Sequence, residues 1–251
     1  MRILPAQIPG SSTSSRQFER MAVDLGALLG ERRAMRVALE RAHREVLVRL
    51  CRATAYRDDD TSVHIERIGF LSAHLARLAG RPRDFCRMLR DAAPMHDIGK
   101  IGIPDSVLKK PGPLTHDEWI VMKQHPMIGA AMLANSGIPL LDLAASIALT
   151  HHERFDGCGY PAGLAGTDIP IEGRIVALVD YFDALTMDRV YRPAQPLEQV
   201  LASIAQERGR RFDPALVDAF LPAIEQFITI KRSVDRIAED SGELSSRSGK
   251  P

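Results

Sequence analysis

The sequence lacks any apolar run near the roughly 20 residues that a membrane-spanning helix needs, so no span is expected. It lacks an excess of charge of either sign: 33 Lys and Arg stand against 32 Asp and Glu, a formal net charge of +1. That excludes the broad basic field that holds a nucleic acid polymer, and any anion must be bound by a local cluster. Cysteine is scarce and odd in number. Cys51, Cys86 and Cys158 form neither a CxxC zinc pattern nor a disulfide framework, and a cytoplasmic setting is expected. The N-terminus has no basic-then-apolar order of a secretory signal. Alternating strand patterns are also rare.

What is present suits a globular domain. The 251 residues are 45% hydrophobic and 26% charged, enough for one substantial core. Residues 1–15 and 236–251 carry no apolar period and read as disordered ends. Between 16 and 56, Met21, Leu25, Leu28, Met35, Leu39, Ala42 and Val46 follow a 4-3 alternation, interrupted by Arg32. This heptad-like stripe predicts a helix that pairs with a second copy of itself. Amphipathic stripes then recur through 57–235: His64, Ile68, Leu71, Leu75 and Leu78; Phe85, Leu89, Ala92 and Met95; Leu140, Leu143, Ala144, Ile147 and His151; and the stretch 174–185. Thr115 to Glu118 reads as a capping box for a helix carrying Trp119, Met122 and His125, and Asp213-Pro214 as an N-cap with a first-turn proline before the last core helix. The expected fold class is all-α.

The chemistry lies in where His and Asp fall. His64, His96, His125 and His151 each stand at an end or on the apolar face of an expected helix, and Asp97 and His152 extend two of them into doublets. A lone histidine on an apolar face is usually a hydrogen-bonded core residue, but one such explanation would be needed for every member of this set. Imidazoles and carboxylates without thiolates suit divalent Fe, Mn, Zn, Co or Ni. Carboxylates such as Asp97 and Asp180 can also bridge paired ions, so a binuclear site is expected. Lys100, three residues after Asp97, and the pair Arg189 and Arg192 are placed to meet phosphate. The glycines around Gly159-Tyr160-Pro161 permit close backbone approach. Cys158 reads as a small filler, since nothing nearby activates its thiol.

In order and spacing, these stretches resemble the HD-GYP family over about residues 40–225. The resemblance rests on Arg57-Asp58 through Thr61 to His64; on His96-Asp97-Ile98-Gly99-Lys100 with Ile101-Gly102-Ile103-Pro104-Asp105; and on the segment from Leu108 to His125. It continues through His151-His152-Glu153, Asp156-Gly157-Cys158-Gly159-Tyr160-Pro161 and Asp180-Tyr181-Phe182-Asp183-Ala184-Leu185-Thr186. It implies an HD-superfamily helical domain binding two divalent ions, Fe or Mn first, through His64, His96, Asp97, His125, His151, His152 and Asp180, with Asp97 bridging. Lys100 is implied as proton donor or phosphate contact, Arg189 and Arg192 as holders of the substrate phosphates, and Gly159, Tyr160 and Pro161 as the substrate loop. The implied substrate is cyclic di-GMP, opened to linear pGpG or to GMP by a hydroxide held between the ions.

Departures from the family pattern bear on detail. Asp60 stands where three-metal members carry Glu, one methylene longer, so a third ion at Asp60 is an open expectation; Ser62 replaces Gly. Expected partners are cyclic di-GMP, a second copy through the N-terminal helix, and a signalling or GGDEF-type protein supplying the input. Two rivals stand beside the phosphodiesterase: an HD-type phosphohydrolase for another nucleotide, and a catalytically silent protein that binds cyclic di-GMP or serves as a scaffold.

Overall fold

The computed structural model describes residues 11–57, 62–188 and 193–240. Among them helices are joined by turns, with two isolated bridges and no strand, so the all-α expectation holds. No helix among them is long and apolar enough to cross a membrane. The chain divides into a first unit ending at Leu47 and a second starting at Val48.

Helix α1 (Ser11–Arg57) is continuous over 47 residues. It begins five residues ahead of the expected boundary at 16. Gly26 and Gly30, each worth about 1 kcal/mol against helix relative to Ala, do not break it. The heptad positions Met21, Leu25, Leu28, Met35, Leu39 and Val46 are all exposed, with Met35 at 73%.

In the second unit come α2 (Ser62–Leu78), α3 (Arg83–Ala92), α4 (Asp105–Leu108), α5 (His116–Met122), α6 (His125–Leu133), α7 (Pro139–Thr150), α8 (Ile171–Leu185), α9 (Leu197–Gln206), α10 (Pro214–Phe220) and α11 (Ile224–Asp240). Helix α2 lies at the centre, against α3, α8, α10 and α11. Its stripe Ile68, Leu71 and Leu75 is fully buried, as are Leu89, Ile147, Val176, Val179 and Phe182 from its neighbours and theirs. Phe182, Phe220 and Phe227 meet edge-on or tilted, with centroids 4.4 Å apart for the closest pair. Each such buried side chain contributes about 1.5–3 kcal/mol.

Several boundaries differ from the periodicity, and proline or burial explains them. The stripe through Phe85 and Met95 does not stay one helix: α3 ends at Ala92, and Pro94 opens a 3₁₀ turn, Ala93–Met95. His125 is not on the capped helix either. The capping box at Thr115 and Glu118 forms as expected, but α5 ends at Met122 and Pro126 sits in the first turn of a new helix. Asp213 accepts from Ala215 N at 2.8 Å, capping α10. That helix is not the last, because Pro222 lies in a 3₁₀ turn and α11 follows. The expected tail boundary at 236 falls inside α11, where Val234 and Ala238 are buried against Val63.

Candidate metal centre and cleft

The ligand candidates gather at helix ends. His64 lies in the first turn of α2, His96 and Asp97 follow the 3₁₀ turn at Ala93–Met95, His125 opens α6, and His151 with His152 follows α7. Asp180 alone comes from a helix interior, that of α8. Gly99 makes the convergence possible: a Cβ there would lie 2.0 Å from the His125 carbonyl oxygen and 2.4 Å from Gly129 N. Gly173 likewise passes Thr150, where a Cβ would meet Oγ1 at 2.1 Å. No side chain fits either crossing.

Two groups result. Asp97, His125, His151 and His152 form one, and His64, His96 and Asp180 the other, with the candidate ligand atoms of each within 4.8 Å of one another. Asp97 stands between them. Its Oδ1 faces His125 Nε2 at 3.2 Å and His151 Nε2 at 3.5 Å, whereas its Oδ2 faces His96 Nε2 at 3.3 Å and Lys100 Nζ at 2.8 Å. Asp180 Oδ1 lies 3.5 Å from His64 Nε2 and 3.8 Å from His96 Nε2.

The backing of each ring decides which nitrogen faces inward. The Nδ1 atoms of His96 and His125 bond to the carbonyls of Ala93 and Met122 at 3.0 and 2.8 Å, and His151 Nδ1 to those of Ile147 and Ala148. Nδ1 is therefore the donor, and Nε2 presents a lone pair. The Nε2 atoms of His96, His125 and His151 are buried and make no hydrogen bond. Buried, unsatisfied and convergent nitrogens facing carboxylates fit divalent ions.

The charge balance agrees. Burial would raise the Asp97 carboxyl, but Lys100 and then His96 hold it well below the usual range. Burial presses His125 down to about 4, and it drives His152 well below its ordinary value with help from His151 and His125. Burial thus favours the neutral ring at both ligand candidates. Burial would also depress His96, yet Asp97 and Asp180 outweigh it and hold the ring at about 9. A divalent ion at Nε2 would displace that proton.

Sequence reasoning missed what stands behind His64. Its Nδ1 bonds to Asp183 Oδ2 at 2.7 Å, and Asp183 is fully buried. Arg67 Nε donates to Asp183 Oδ1 at 2.8 Å, Lys231 Nζ lies 3.3 Å from it, and Arg67 reaches on to Asp235 at 2.7 Å. Burial opposes the Asp183 charge, but His64, Arg67 and Lys231 keep it ionised. The spacing held the signal: Asp183 is three residues after Asp180, and Arg67 three after His64.

A cleft of about 590 Å³ opens beside His151 and His152, bordered by Gly159, Tyr160 and Trp119. The Tyr160 ring stacks on His152, centroids 4.7 Å apart at 26°. Glu153, buried, accepts from Ala162 N at 2.8 Å and Leu164 N at 3.1 Å, which ties the loop beyond Pro161 to the histidine doublet. Gly159 permits that fold-back, since a Cβ would lie 2.3 Å from Arg154 N. Cys158 is exposed at the cleft, and all three cysteines are free. Asp60, Arg189 and Arg192 lie outside the described residues.

The family model described as the HD domain matches residues 38–216. The chain belongs to the HD domain family. The HD-GYP branch expected from its motifs is upheld by its relatives. This HD domain chain is 45% identical over 213 residues to a cyclic di-GMP phosphodiesterase response regulator of Xanthomonas campestris, covering 85% of the chain and 54% of that protein. It is 40% identical over 198 residues to a 3'3'-cGAMP-specific phosphodiesterase of Vibrio cholerae, covering 79% of the chain and 38% of that protein. The chain thus spans about half the length, or less, of these curated relatives. A solved cyclic GMP-AMP specific phosphodiesterase of V. cholerae shares its fold, with a TM-score of 0.56 at 19% identity over 76% of this chain and 52% of that one.

Proposed function

We propose that the chain is a metal-dependent phosphodiesterase that hydrolyses cyclic di-GMP to linear pGpG or GMP. The observation carrying this reading is the pair of His/Asp groups with Asp97 between them, beside a cleft of ligand size. His125, His151 and His152 would hold one ion, His64, His96 and Asp180 the other, and Asp97 would give one oxygen to each. Fe or Mn suits this donor set best, and Asp60 is offered to a third ion. When bound, the ions supply Lewis acidity and an activated water.

The chain's own residues then orient and move protons. Lys100, 2.8 Å from Asp97, is placed to neutralise a phosphoryl oxygen or to protonate the departing 3′-oxygen. Gly159 and Tyr160 line the cleft in which the substrate would lie, and Pro161 follows them in the same loop without lining it. Family resemblance assigns all three to the substrate, and Arg189 and Arg192 to its phosphates. The exposed heptad positions of α1 support a homodimer, which sedimentation over a range of concentrations would read as a shift from monomer to dimer mass. A GGDEF-type or other signalling protein is the proposed source of input. The three free thiols fit a cytoplasmic setting.

The test is hydrolysis of cyclic di-GMP by purified protein, with metal content measured on the same sample. Linear product with about two ions per chain supports the reading. Metal-loaded protein that leaves cyclic di-GMP intact overturns it. The 40% identity to a 3'3'-cGAMP-specific enzyme makes cyclic GMP-AMP the second substrate to assay.

A further inference from the structure

Three side chains at the cleft have no part in the metal groups. Arg211 lays its guanidinium 4.6 Å from the Tyr181 ring centroid, and Lys123 Nζ stands 5.3 Å from the Tyr160 centroid. Among the described residues neither is ion-paired with a carboxylate. Both line the cleft, as does Trp119, which is 47% exposed. The one carboxylate among the lining residues, Glu153, is turned to backbone amides, and Arg154 is committed to Asp156 and Glu207.

Two uncommitted cations beside an uncovered indole form a wall suited to a nucleotide: an anion between the cations and a base on the ring. The wall is also close to the metal groups. Tyr160 stacks on His152, so Lys123 stands one ring beyond a ligand candidate. Arg211 is fixed twice, by its stack on Tyr181, next to Asp180, and by its carbonyl, which accepts from Phe155 N at 3.2 Å. A cation held in place before the ligand arrives loses little rotamer freedom on binding.

We infer that Arg211, Lys123 and Trp119 form a subsite for the half of the cyclic dinucleotide that is not being cleaved. Arg211 and Lys123 receive its second phosphate, and Trp119 stacks its purine. This rests on the phosphodiesterase reading and deepens it. A substrate with one phosphate and no purine gains nothing from these residues, whereas a cyclic dinucleotide needs them for binding and not for chemistry.

The experiment compares two substrates on the metal-loaded full chain: cyclic di-GMP, and bis(p-nitrophenyl) phosphate, a small diester without a second phosphate or a purine. Arg211→Ala, Lys123→Ala and Trp119→Ala are each expected to raise KM for cyclic di-GMP about tenfold, with kcat little changed, the loss of one charge-assisted or stacking contact. Turnover of the small diester should stay within about twofold of wild type, and Arg211→Lys and Trp119→Phe should recover part of the binding. Equal losses on both substrates, or an unchanged KM for cyclic di-GMP, would overturn the subsite while leaving the phosphodiesterase intact. Wild-type protein that cleaves the small diester but not cyclic di-GMP would overturn the substrate reading, and the subsite with it.

Discussion

The two ligand groups face Asp97 from opposite sides but are built differently. Around Asp97, His125 and His151 lean on backbone carbonyls at the ends of helices, and no side-chain substitution removes those carbonyls. Across from them, His64 leans on the side chain of Asp183, itself held by Arg67 and Lys231 from two other helices. The first group comes with local helix geometry. In the second, His96 also leans on a carbonyl, that of Ala93, and it is His64 that depends on a buried charge network assembled from α2, α8 and α11. Ligands backed by main chain are disturbed by moving a helix, and a ligand backed by a side chain is disturbed by a single distant substitution.

That contrast can be broken at three points. Asp97→Ala removes the carboxylate that stands between the two groups and should have the largest effect. Metal analysis should find both ions lost, and turnover should fall further than the ~100-fold that outer-shell losses cost. Retention of either ion would show that Asp97 is not shared. Asp183→Asn comes next. It leaves Arg67 and Lys231 without their buried counter-charge, a change that costs about 3–5 kcal/mol when a buried pair is broken. Chemical denaturation should record that loss, and metal titration should show one ion weakened about 10–100-fold with the other little changed. Equal weakening of both ions would erase the distinction between the groups.

Gly99→Ala should have the smallest effect on stability, about 1–3 kcal/mol for an overpacked crossing. Its Cβ would press on the His125 carbonyl, so the weakened ion should be the one bound with His125 and His151, the opposite of the Asp183→Asn pattern. A thermal melt with parallel metal analysis separates the outcomes. Wild-type stability with full metal content would mean that the crossing is looser than the backbone distances require.

Much of this was readable in order along the chain, because helical periodicity and ligand spacing are local properties. The stripe through Ile68, Leu71 and Leu75 marks the buried face of α2, and Thr115 with Glu118 marks the start of α5. The histidines were legible as a set because each sits where an apolar stripe ends. The breaks at Pro94 and Pro126 were harder to place, since periodicity alone does not say whether a proline kinks a helix or restarts it. Asp183, Glu153 and Gly99 stood inside the recognised motifs with no role read for them, because their roles lie in what they touch.

By itself the sequence determined an all-α chain, the seven His and Asp residues that converge, and a long N-terminal helix with an apolar seam. Composition and 3.6-residue periodicity are written in neighbouring letters. Only the tertiary structure decided that the two oxygens of Asp97 face different groups, and that a buried aspartate from α8 orients a histidine of α2. It also brought Lys123 and Arg211, far apart in the chain, to the same cleft. Such pairings depend on helix crossings set by core packing and by glycines at the contacts, and no local pattern encodes them.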